Sequence, residues 1–204
     1  MSFFCRVFTK EISKIEITDF ENAVKGMGAR VKIHETDEKG WKSLLLEDKD
    51  GIPVCFLDRD EVLAESIGEE EICEFLEEME TARPKAAAEW VGEYLKETKV
   101  IYAFELLEGI DTDEGYEAFD LVRNVIFDKA GGIFQADGEG FSNEEGFHII
   151  WQFDDVEVEG PWEMAVLEKD GKWKTFEMEL SDREQQREFK DGKVPKNSKP
   201  VQWN

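Results

Sequence analysis

Three strand-length stretches, Arg30 to Glu35, Trp41 to Glu47 and Ile52 to Leu57, are separated only by Asp37-Glu38-Lys39-Gly40 and Asp48-Lys49-Asp50-Gly51. Acidic turns ending in Gly supply the positive φ that a tight reversal needs, so this part of the chain favours antiparallel hairpins. Phe3 to Phe8 reads as a preceding aromatic strand. Thr18-Asp19-Phe20-Glu21 has the spacing of a capping box, Phe20, Val24 and Met27 fall on one helix face, and Gly28 is placed to end that helix. The first third therefore reads β-α-β-β-β.

Two helices follow. Ser66-Ile67-Gly68-Glu69 is a second capping box, and Ile72, Phe75, Leu76 and Met79 recur at amphipathic spacing behind it. Pro84 suits a first turn, and Ala87, Trp90, Val91, Tyr94 and Leu95 form the stripe of the next helix. From Lys99 the order begins again. Val100 to Leu106 reads as a strand, and Asp113 is placed to cap a helix lined by Tyr116, Phe119, Val122 and Ile126. Gly131-Gly132 stops that helix. Strands are expected at Ile133 to Ala136, Phe147 to Phe153, Trp162 to Glu168 and Trp173 to Leu180, the last two joined through Asp170-Gly171.

The expected class is α+β, an antiparallel sheet with helices packed on one face. The order of elements suggests two tandem β-α-β-β-β units, 1–63 and 99–180, joined by a helical connector over 66–98. Together they form one globular domain over 1–189. Ser181-Asp182-Arg183-Glu184 opens a short polar helix. A Lys- and Pro-containing tail, 190–204, follows it and is expected to be extended and mobile, with Trp203 inside it. At 204 residues, with 15 Phe and 6 Trp, the chain has enough apolar material for a packed core.

Cys5, Cys55 and Cys73 are odd in number and embedded in apolar segments, which argues for buried thiols in a reducing compartment and against a disulfide framework. No basic segment leads into an apolar stretch of signal length, and no apolar run approaches a bilayer span, so a cytoplasmic, non-membrane protein is expected.

Charge is the most unusual property. The 49 acidic residues outnumber 25 basic ones for a net −24, which repels phosphate backbones and anionic lipid and attracts a basic partner. Salt adaptation is the alternative source of such a surface, but 33 Glu to 16 Asp and 18 Lys to 7 Arg resemble ordinary charged helices and loops. The acids concentrate between Asp60 and Glu80, which holds ten of them and no Lys or Arg. Like charges four apart on a helix, Glu70 with Glu74 and Glu74 with Glu78, cost a few tenths of a kcal/mol each.

Chemical signatures are otherwise missing. His34 and His148 have no second His or Cys at ligand spacing, so no metal is expected. Asp111-Thr112-Asp113-Glu114-Gly115 departs from a calcium loop, with Gly one place early and Val122 at the twelfth position, and helix capping accounts for its carboxylates. Gly138-Glu139-Gly140 lacks the remainder of a dinucleotide fingerprint and is flanked by acids, no serine elbow is present, and no cofactor is expected.

Two functional readings remain. The first is a non-catalytic binding module, of the kind that inhibits or neutralises another protein, docking a basic partner through Glu70, Glu74, Glu77 and Glu78. The second is a small-ligand-binding protein or enzyme with a pocket near the Asp137–Glu139 loop, using Asp137, Glu139 and His148 as polar groups among aromatic walls such as Trp151.

Overall fold

The sequence's short apolar runs and frequent turns resolve, in a computed structural model, into hairpins and amphipathic helices. Residues 3–38, 40–153 and 158–201 are described. In chain order the elements are β1 (Phe3–Thr9), α1 (Ile17–Val24), β2 (Arg30–Asp37), β3 (Gly40–Glu47), β4 (Pro53–Glu61), α2 (Ile67–Met79), α3 (Lys85–Lys96), β5 (Val100–Leu106), α4 (Asp113–Ala130), β6 (Ile133–Ala136), β7 (Gly140–Ser142), β8 (Pro161–Leu167), β9 (Trp173–Glu179) and α5 (Arg183–Lys190). The fold is α+β with antiparallel strand pairing, as the turn chemistry implied. The chain divides into two compact units, 1–70 with 98–132 and 71–97 with 133–204.

In the first unit the strands run in the order β2-β3-β4-β5-β1. Here β5, the start of the expected second half, lies between β4 and β1, with Phe104 opposite Leu57 on one side and Cys5 on the other. Phe104 is fully buried and meets Phe119 of α4 edge-on at 5.1 Å between ring centroids. Its truncation to Ala is expected to cost about 3–5 kcal/mol. Phe20 of α1 packs edge-on against Trp41 at 5.5 Å, and the Trp41 indole N–H donates to the Ile15 carbonyl at 2.7 Å.

Helix starts fall within two residues of the expected caps. α1 begins at Ile17 with a reciprocal box between Glu16 and Asp19, earlier than Thr18 suggested. α4 is capped by Thr112, whose hydroxyl accepts from Gly115 N–H at 3.0 Å, while Asp113 and Glu114 in the first turn complement the helix dipole. At the head of α2, Ser66 Oγ accepts from Glu69 N–H at 3.1 Å as the second capping box implied. The Glu69 carboxylate reaches back instead to the N–H of Glu65, at 2.7 Å.

The second unit holds two hairpins, β6–β7 and β8–β9, and a core of Met164, Val166, Phe176, Met178 and Phe189 against which Trp151 and Trp162 pack. The segment 147–153, expected to be a strand, is not one. Its backbone N–H groups are shared among separate partners: His148 donates to Glu163, Ile149 to Phe141, Trp151 to Arg83 and Gln152 to Glu139, at 2.8–3.0 Å. No single neighbour can form a ladder with it, and only isolated bridges at His148 remain. The chain after α5 is not simply extended, since it turns at 191–192 and 196–197, and it is attached, because Lys199 and Glu177 exchange both backbone hydrogen bonds at 2.7 and 2.9 Å. Trp203 lies outside the described residues.

Candidate functional site

Helix α2 buries the stripe its sequence implied. Ile72, Phe75 and Met79 turn inward, and Phe75 meets Phe141 edge-on at 5.5 Å. The opposite face carries Glu70, Glu74, Glu77 and Glu78, all exposed. Because no Lys or Arg lies between Asp60 and Glu80, this face cannot neutralise itself. Among the described residues Glu70, Glu74 and Glu77 have no side-chain hydrogen bond or ion pair, and Glu78 accepts one from Gln152 Nε2 at 3.1 Å. Other helices differ. Lys85 pairs with Glu89 and Lys96 with Glu93 on α3, Arg123 with Asp120 on α4, and on α5 Arg187 reaches Glu184 while Lys196 reaches Glu188.

Cys73 also lies on the exposed side of α2, which corrects the expectation that all three thiols are buried. Cys5 and Cys55 are buried, and burial pushes the Cys55 thiol upward.

The second group of candidates surrounds the β6–β7 turn. Gly140 is needed there, since it has φ +120° and a Cβ on it would collide with the carbonyl of Ile150. That close approach sets Glu139 beside the 147–153 segment. Glu139 is half-buried, and loss of water raises its carboxyl above the usual range. Asp137 is instead engaged by Gln135, whose Nε2 donates to its Oδ1 at 3.2 Å.

His148 is 3 % exposed and its Nε2 has no hydrogen-bond partner. Burial lowers the imidazole to about 4; the carbonyls of Ile150 and Glu139 act in the opposite direction, but neither completes a hydrogen bond to Nε2. A histidine held there is neutral near pH 7 and carries no charge into its surroundings. Its ring lies 5.0 Å from Phe153 and 6.2 Å from Trp162, and Phe153 in turn meets Trp151 at 4.8 Å. Trp151 is half-buried, with the ammonium of Lys190 4.6 Å from its ring centroid.

Gln152 joins the two groups, donating from its side chain to Glu78 and from its backbone to the Glu139 carbonyl. Glu78, Glu139, His148 and Trp151 are thus brought into one neighbourhood of the second unit, whereas Glu70 belongs to the first. Gln152, Phe153, Trp162 and Lys190 also belong to this neighbourhood, and no sequence pattern singles them out. The first two were hidden inside an expected strand, and the others come from distant segments that no local pattern links to Trp151.

Among the described residues no group of three or more His, Cys, Asp or Glu is arranged to hold a metal ion, and no helix is long and apolar enough to cross a membrane. No family model, curated protein or solved structure matches the chain.

Proposed function

We propose that the protein is a non-catalytic binding module that docks a basic protein surface through the exposed face of α2. The observation that supports this reading is the row Glu70, Glu74 and Glu77, exposed and without an intramolecular partner among the described residues, on a helix with no cation of its own, whereas α3, α4 and α5 each pair at least one of their acids with a cation. Repulsion at i, i+4 makes the row a local cost of roughly 0.2–0.5 kcal/mol per pair, which a positive partner offsets. Such docking is steered by charge, so its rate and affinity fall with salt.

The test is capture from the host lysate by the full chain, washed across a salt series, beside a variant carrying Glu70→Gln, Glu74→Gln, Glu77→Gln and Glu78→Gln. The reading expects a basic protein that is released by salt and not retained by the variant. Capture that is empty, or that is insensitive to both, contradicts it.

A second reading, a small-ligand site at the β6–β7 turn, is favoured by the buried, unpartnered Nε2 of His148 beside Phe153 and Trp162. On that reading a ligand supplies the missing hydrogen bond, and Glu139→Gln abolishes binding of whatever metabolite a ligand screen returns without unfolding the chain. A His148 that stays unperturbed across the screen removes this reading.

A further inference from the structure

Acids outnumber cations 49 to 25 in this chain, and many of the cations reach a carboxylate, as Lys49, Lys129, Lys196 and Lys199 do. Lys190, the last residue of α5, does not. Among the described residues it has no ion pair or hydrogen bond, and its ammonium instead lies over the Trp151 indole, 4.6 Å from the centroid. The negative π-face of an indole attracts cations, at roughly 0.5–1 kcal/mol for exposed sites. A lysine that rests on a ring in a strongly acidic protein marks that ring as a cation acceptor.

The ring is held in place. Its residue's backbone N–H donates to Arg83 at 2.9 Å, Phe153 meets it at 4.8 Å, and Phe189 lies 6.3 Å away. The following side chain, Gln152, bonds to Glu78, so the ring adjoins the C-terminal end of the acidic α2 face. An aromatic surface beside unneutralised carboxylates fits arginine particularly well. A guanidinium is planar, weakly hydrated and stacks on indole, whereas the ammonium of Lys190 holds its water more strongly. Trp and Arg are also the residues that most often dominate the energy of an interface.

We propose that Trp151 is the anchor for an arginine of the basic partner, and that Lys190 is its intramolecular occupant, displaced when the partner docks. This rests on the acidic-face reading: the partner's positive surface lies along Glu74, Glu77 and Glu78, and one of its arginines replaces Lys190 over the ring.

The probe is an oligoarginine peptide titrated into the full chain at roughly physiological salt, with the Lys190 ε-methylene followed by NMR and assigned by its loss in Lys190→Met. In the free protein that signal is shifted by the indole ring current, and it moves to the ordinary lysine position as the peptide binds. Lys190→Met tightens peptide binding by about two- to fivefold. Part of the gain comes from lost positive charge, so the same substitution is repeated in a Trp151→Leu background, where only that part remains. Trp151→Phe keeps an aromatic face and retains the lysine shift in reduced form, which guards against a Leu variant that folds poorly.

A Lys190 signal that is ordinary in the free protein, or that stays put at peptide saturation, overturns the anchor. So does an equal gain in both backgrounds. If binding weakens with the four Glu→Gln changes while Lys190 does not move, the anchor fails and the acidic face stands. If binding ignores those four changes, the acidic-face reading fails by itself, and no peptide binding at all overturns both.

Discussion

Glu74 and His148 belong to the same compact unit, and among the described residues the Glu74 carboxylate and the Nε2 of His148 each lack a hydrogen-bond partner, yet the two are opposites. Glu74 stands in water on α2, which solvates its carboxylate and leaves its field available to another molecule. His148 is enclosed by Phe153 and Trp162, and the fold responds by keeping it uncharged. An unpaired ionisable group therefore means different things by location. On the surface it is an open electrostatic handle, and in the interior it is a pH-dependent weakness.

The largest expected effect lies on the interior side of this comparison. The folded value of His148 is about 4 against 6.5 for a free histidine, so between those values the unfolded chain binds the extra proton. Its contribution to stability is complete above about 6.5 and is lost as pH falls toward 4, on the order of 3 kcal/mol across that window. Chemical unfolding at stepped pH compares wild type with His148→Phe. The variant's stability changes less over the window, and parallel curves for the two proteins would show that His148 is not the buried titrating group.

Next in size is the surface side. The four Glu→Gln changes on α2 lower affinity for the basic partner by roughly tenfold or more, since several charges that steer and hold it are removed together. The same variant is more stable than wild type when unfolded at low salt. Loss of binding combined with loss of stability breaks the distinction, because the carboxylates would then be structural.

Smaller again is the single change Glu74→Gln, which relieves the contacts with both Glu70 and Glu78. It raises stability by about 0.4–1 kcal/mol at low ionic strength, and the gain fades as salt screens it. A midpoint unchanged by this substitution at low salt removes the repulsion argument. Glu139 lies between the two extremes, half-buried with its carboxyl raised by desolvation. Its folded value is above the unfolded one, so its ionisation opposes folding as pH rises through that value. Glu139→Gln is expected to add slightly to stability at pH 7 and nothing near pH 4, and the reverse order would place the carboxylate in a favourable interaction.

The features legible in the sequence were those set by local chemistry. The hairpin turns after Asp37 and Asp48, the stripe Ile72, Phe75 and Met79, and the cap at Ser66 depend on a few neighbouring residues and were found where expected. Phe147 to Phe153 reads as a strand because an apolar run looks alike whether its backbone pairs with one strand or is divided among three segments, at Arg83, at Glu139 with Phe141, and at Glu163. The acidic face was visible because a missing cation can be counted along the chain. The aromatic surroundings of His148 were not, since Trp162 reaches it only through the β8–β9 hairpin and Lys190 reaches Trp151 only through the placement of α5.

Docking through the acidic face of α2 is tested by the association rate of the captured, purified partner measured across ionic strength, from roughly 50 mM to 500 mM, where the screening length falls below the spacing of surface charges. The rate declines steeply for wild type and much less for the protein carrying Glu70→Gln, Glu74→Gln, Glu77→Gln and Glu78→Gln. Equal slopes, or a rate indifferent to salt, would contradict such docking.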